Sequence, residues 1–106
     1  MTFSRLMALF DAPDAYDDDA RGFLLNQIGH IIVGALLAWL LGTWIALALY
    51  AAWEIAQLWF RAAQPHDCAE DLAFVAAGAM AVAVSPLVLV PAAAHLAAGA
   101  LRRAGF

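Results

Sequence analysis

Ionisable and polar side chains occur inside long apolar stretches of this chain, where they could bind a ligand or transfer a proton. His30 lies in the first apolar stretch, Glu54 and Gln57 lie in the second, and Asp71 enters the third. An ionisable side chain at bilayer depth costs roughly 3 kcal/mol on insertion scales, so it usually faces protein or water and marks a functional site. These four residues are the candidate polar cluster.

His30 shares one helical face with two neighbours in the first stretch. Asn26, His30 and Gly34 follow one another at intervals of four residues, which places them on one face of a helix. Gly34 permits another helix to approach closely beside the histidine. Because imidazole titrates near neutral pH, His30 suits a proton carrier, a head-group binder or a ligand. The alternative is a histidine that only hydrogen-bonds a neighbouring helix.

Glu54 and Gln57 share a face of the second helix, since they are three residues apart. Glutamate is too short to reach far towards the membrane surface from this position. His30 and Arg61 are the available partners for its carboxylate. A structural hydrogen bond between helices is the alternative to a functional role.

Two aspartates begin the third apolar stretch. Asp67 and Asp71 are four residues apart and would stack near a helix N-terminus. Acidic residues there are favoured by capping and by the helix dipole, so capping alone would explain them. Gly78 follows Asp71 by seven residues on the same face and offers a small surface for close packing.

The apolar stretches predict an all-α integral membrane protein with about three transmembrane helices. A membrane helix needs about 20 apolar residues, and Gly42-Thr43 marks a tight turn between the first two. The remainder is an N-terminal segment, with a short amphipathic interfacial helix at residues 1–10 and an acidic linker at residues 11–21, and a Pro-bent C-terminal helical tail at the interface. The predicted ranges are residues 1–21 for the N-terminal segment, 22–41, 43–60 and 70–90 for the spans, and 91–106 for the tail.

The predicted helices place the polar residues at similar depths in the membrane, which supports contact between their side chains. His30 lies eight residues from the start of the first span and Glu54 lies six residues from the end of the second. At 1.5 Å per residue both side chains lie ~9–12 Å below the same membrane surface. Asp71 would lie just above these two residues, closer to the membrane surface.

Composition excludes several classes of function. Apolar residues form 66% of the chain and charged residues 13%, too little charge for a soluble surface of this size. All five basic residues are arginines and form no patch for nucleic acid. The single cysteine, Cys68, excludes an internal disulfide and is interpreted as incidental.

The flanking charges give an orientation. Aspartates between Asp11 and Asp19 precede the first apolar stretch, where a signal peptide would carry positive charge. Arg102 and Arg103 make the C-terminus the most basic flank, so the positive-inside rule places it in the cytoplasm. With three spans, the N-terminus and residues 61–70 would lie on the opposite side.

No sequence motif assigns a reaction. One histidine with carboxylates suits a divalent ion, but no HExxH or comparable spacing is present, so no metal and no cofactor are predicted. No serine or cysteine nucleophile sits beside a histidine, and phosphate-binding loops are absent. Whether the protein is an enzyme stays open.

Three segments resemble the signatures of VanZ-like proteins, a family of small bacterial polytopic membrane proteins. NQIGHIIVGALLAWL is similar to the first signature, ALYAAWEIAQLWF to the second with its Glu-x-x-Gln, and DLAFVAAGA to the third, an Asp followed seven residues later by Gly. Order and approximate spacing match across residues 26–79. The resemblance implies a fold and a site, and no reaction.

The sequence also departs from that family's pattern. Asn26 and Gln27 stand where an acidic residue and Lys are usual, and Val75 stands where a polar residue is usual. The usual Gly-Arg is missing from the loop, where Arg61 or His66 would substitute. Residues 1–21 replace the family's N-terminal membrane helix.

We therefore expect an inner-membrane protein that binds or handles the head group of a lipid or cell-envelope precursor. Glu54 would act as acceptor or base, His30 as proton partner, Gln57 as orienting group and Asp71 as second acceptor. One alternative is a phage holin-like protein that permeabilises the membrane. Another is a structural subunit of a membrane complex. The expected partners are membrane lipid and either a second copy or a complex subunit.

Overall fold

Helices form all of the regular secondary structure in the described part of the chain. The computed structural model describes Tyr16, residues 18–60 and residues 65–106. The all-α prediction is thereby confirmed for these residues. The predicted interfacial helix at residues 1–10 and most of the acidic linker lie outside them. The helices are α1 (Ala20–Leu41), α2 (Thr43–Phe60), α3 (Pro65–Ala83), a 3-10 helix (Pro86–Val88) and α4 (Leu89–Arg103).

The ends of α1 follow from capping chemistry. The Asp19 carboxylate accepts the Gly22 N–H at 2.8 Å, which satisfies one of the free donors of the first turn. Gly42 has a φ of +87°, which favours glycine, and its N–H is accepted by the Ala38 carbonyl at 2.9 Å. The predicted turn at Gly42-Thr43 is confirmed, and α2 begins at Thr43.

The third helix begins and ends earlier than the predicted range 70–90, because it spans Pro65–Ala83. Proline is tolerated in a first helical turn, and Asp67 there interacts favourably with the helix dipole. The helix ends before Ser85 and the proline that follows it. The Ser85 hydroxyl accepts the Leu87 N–H at 3.2 Å, which starts the 3-10 helix instead.

After the 3-10 helix the chain reverses, and α4 packs against α3 and α1. His95 Nε2 donates to Glu70 Oε2 of α3 at 3.0 Å. The Arg103 guanidinium lies 3.7 Å above the Phe23 ring of α1. The C-terminal end of α4 therefore lies beside the beginnings of α1 and α3.

This reversal corrects the expected position of the C-terminal tail. Three spans followed by a tail would put residues 91–106 at the far end of the bundle from residues 61–70. The structure places the end of α4 at the same end as the beginning of α3. Two further contacts hold the end of α4 in this position. Gly99 leaves room for the Phe23 ring, and Arg103 lies 4.0 Å from the Glu70 carboxylate.

The closest packing in the molecule joins α1 to α3 through two glycines. A Cβ on Gly34 would collide with the carbonyl oxygen of Val75, and a Cβ on Gly78 would collide with the carbonyl oxygen of Ile31. The two helix backbones therefore touch directly, as the small residues predicted. Val75 and Ala79 beside this contact are fully buried.

Much of the outer surface is apolar. Trp39, Trp44 and Trp59 are 74%, 82% and 80% exposed, and many branched aliphatic side chains are exposed beside them. Among the described helices, α1 alone is long and apolar enough to cross a membrane by length and composition. Only 17% of its most apolar window is buried, whereas the core helix of a soluble protein is mostly buried.

We predict that Gly34→Ala and Gly78→Ala each destabilise the fold. The added methyl group must push two backbones apart, and overpacking of this kind costs about 1–3 kcal/mol. Gly29→Ala is the matched control, because a Cβ there meets nothing within 4 Å. The control should be neutral or more stable, since alanine favours helix over glycine by about 0.5–1 kcal/mol. Thermal unfolding in detergent, followed by circular dichroism, compares the three. Equal midpoints would contradict the close contact.

Candidate functional site: a polar cluster between α1, α2 and α3

Asp71 joins α3 to two polar side chains of α1. Gln27 Nε2 donates to Asp71 Oδ1 at 2.9 Å, and His30 Nε2 lies 3.6 Å from Asp71 Oδ2. Asp71 precedes Val75 by one helical turn, as His30 precedes Gly34. The polar contacts are therefore the next layer along the interface that the glycines close.

The His30 ring is held in one orientation. Its Nδ1 lies 2.6 Å from the Asn26 carbonyl oxygen. A carbonyl can only accept, so Nδ1 carries the hydrogen and Nε2 faces Asp71. The Tyr50 ring of α2 packs against the imidazole edge to face, with centroids 5.8 Å apart. Nε2 is thus the nitrogen available for a proton or a ligand.

Glu54 brings a second carboxylate to the same place. Its side chain is buried, with 4% of the residue exposed, and neither carboxylate oxygen has a well-aligned hydrogen-bond partner within the described residues, although the Tyr50 hydroxyl and the Cys68 thiol lie beside it. One ligand atom from each of His30, Glu54 and Asp71 lies within 4.8 Å of the others. A buried polar group without a partner costs about 1–3 kcal/mol, and more when it is charged. This arrangement favours a bound cation, proton or hydrogen-bond donor.

The structure brings three of the four predicted cluster residues together. Gln57 is the exception, since it is half-buried in α2 and makes no hydrogen bond to a described residue. Gln27 takes the orienting position instead. A sequence signal for it existed, because Gln27 precedes Gly34 by seven residues just as Asp71 precedes Gly78.

The secondary residues contribute less than the cluster. Asn26 supplies its backbone carbonyl to His30. Asp67 lies 3.0 Å from the imidazole of the exposed His66 and helps to begin α3. Arg61 lies outside the described residues. Cys68 is buried, and a buried structural thiol is unreactive.

Comparisons with known proteins identify no relative. No family model matches the chain, and neither a curated protein nor a solved structure matches it. The VanZ-like resemblance therefore stays a prediction. His30, Glu54 and Asp71 each come from one of the three segments that carry the resemblance.

We predict that Glu54→Gln stabilises the chelator-treated, ligand-free protein. The substitution keeps the shape and removes a buried charge without a described partner, for a gain of about 1–3 kcal/mol. Asp71→Asn is the comparison, because its carboxylate already has Gln27 and His30 as partners, and it should not gain stability. Thermal unfolding measures both. A lower midpoint for Glu54→Gln would mean that the carboxylate is paired.

Proposed function

We propose that this chain is a VanZ-like integral protein of the bacterial inner membrane. Its polar cluster would bind the head group of a membrane lipid or cell-envelope precursor. The observation that carries the proposal is the buried Glu54 carboxylate, which lies without a described partner beside His30 and Asp71 in an apolar bundle. A buried acceptor of this kind is stabilised when a ligand supplies a donor to it.

The apolar surface supports a bundle of three spans, α1 to α3, with α4 returning beside them to the side on which α1 begins. The α1 helix meets the length and composition for crossing a membrane. Trp44 and Trp59 stand at opposite ends of α2, 15 residues or ~22 Å apart, where tryptophans anchor membrane helices at the two interfaces. Beyond Asp71, α3 is apolar and its apolar sequence continues to the 3-10 helix. The α4 helix would cover α1 and α3 on one side.

The reversal of α4 places the three arginines that the structure describes at one end of the bundle. Arg21 begins α1, while Arg102 and Arg103 end α4. In sequence, Arg61 directly follows the last residue of α2, and no Lys or Arg occurs near Gly42 or the 3-10 helix. By the positive-inside rule this end faces the cytoplasm. The C-terminus is then cytoplasmic as expected, and the beginning of α3 and the polar cluster move to the cytoplasmic side with it.

The residues of the cluster have distinct roles in this proposal. Glu54 is an acceptor or base, and Asp71 is a second acceptor that Gln27 orients. His30 offers Nε2 to a proton or a ligand, because its Nδ1 donates to the backbone. Two carboxylates select a head group that presents hydroxyl or amine donors.

We predict that the wild-type protein in native-membrane nanodiscs retains a specific lipid or precursor that Glu54→Ala loses. Loss of a hydrogen bond to a charged group, about 1.5–3 kcal/mol, should lower retention by at least about tenfold. The readout is native mass spectrometry. Glu70→Ala is the control, because Glu70 pairs with His95 outside the cluster.

Identical lipid profiles for all three proteins would contradict the proposal. A stoichiometric protein partner in place of a lipid would indicate a complex subunit. Abrupt loss of membrane potential on expression would indicate a holin-like protein.

A further inference from the structure

We infer that the polar cluster binds a divalent metal ion of the Zn²⁺ class through His30 Nε2 and the carboxylates of Glu54 and Asp71. The inference deepens the proposed function, because it rests on the same site and names the ion that would complete it. No spacing motif in the sequence indicates these ligands, since each comes from a different helix. The prediction that no metal binds relied on such motifs.

The donor geometry fits a small ion. His30 Nε2 and Asp71 Oδ2 lie 3.6 Å apart. Two ligands of tetrahedral Zn²⁺, at about 2.0–2.1 Å from the metal, lie about 3.4 Å from each other. All three ligand atoms lie within 4.8 Å of one another, so only Glu54 needs a substantial shift to close the site.

Each fixed ligand has a supporting contact of the kind that metal sites use. The Asn26 carbonyl accepts from His30 Nδ1, which leaves the Nε2 lone pair for the metal. The Gln27 amide donates to Asp71 Oδ1, which orients the carboxylate and leaves Oδ2 free. Both contacts come from α1, at consecutive positions.

Glu54 supplies the independent evidence for a ligand. Its carboxylate is more than nine-tenths buried and makes no well-aligned hydrogen bond within the described part of the chain, where only the Tyr50 hydroxyl and the Cys68 thiol approach it as donors. No described Lys or Arg pairs with it. One divalent ion would neutralise both carboxylates.

Three protein ligands leave one tetrahedral position open. Sites with an open position hold water or a substrate atom, whereas purely structural zinc sites have four protein ligands. His30 and Asp71 are partly exposed, with 15% and 20% of their side chains accessible, so the open position faces the protein surface. An oxygen of the bound head group would occupy it.

The test is Zn²⁺ binding to the chelator-stripped protein in detergent, measured by equilibrium dialysis with elemental analysis and by the thermal midpoint. Wild type should bind about one ion per chain and gain stability with Zn²⁺ concentration. Glu54→Gln and Asp71→Asn should bind at least about tenfold more weakly, because loss of a residue that merely supports a ligand already costs about 10–100-fold in metal affinity. Glu70→Gln, which alters the exposed Glu70–His95 pair, should match wild type.

Equal binding by wild type and Glu54→Gln would overturn the inference, as would retention of Mg²⁺ or Mn²⁺ in place of Zn²⁺. Lipid retention by a wild-type protein that binds no Zn²⁺ would overturn the inference and leave the proposed function standing. Zn²⁺ binding with no retained lipid in any sample would support the inference and contradict the proposed function.

Discussion

The direct contact between the backbones of α1 and α3 determines the rest of the structure. Gly34 and Gly78 leave no side chain between the two helices, so their spacing is fixed by main-chain atoms rather than by adaptable side chains. Asp71 and His30 lie one turn away, close enough to interact only because of that spacing. A wider separation would leave the Asp71 carboxylate without its partners from α1.

The rigid interface also allows the bundle to tolerate an unfavourable residue. A buried carboxylate without a partner opposes folding, and a pliable core would move it to the surface or hydrate it. Here the backbone contact and the bonds of Asp71 hold the surrounding helices in place. Binding sites often contain a residue that destabilises the ligand-free protein, because the ligand supplies the missing interaction.

Local sequence signals predicted the helices and the turn. The features that they did not predict depend on tertiary contacts. The apolar stretches, the Gly42 turn and the convergence of His30, Glu54 and Asp71 followed from periodicity and depth. The return of α4 did not, because it depends on Phe23 and Glu70 meeting residues far along the chain. The choice of Gln27 over Gln57 depends on which helix packs against α3, and apolar periodicity does not determine that.

We propose a membrane bundle in which the beginning of α1 and the C-terminus lie together on the cytoplasmic side. Cysteine accessibility in intact cells tests it most directly, with Cys68 replaced by alanine. Asp18→Cys and Phe106→Cys should both resist a membrane-impermeant reagent until the membrane is opened, while Leu87→Cys should react from outside. All three native side chains are exposed in the structure. Labelling of positions 18 and 106 from opposite sides would contradict the account.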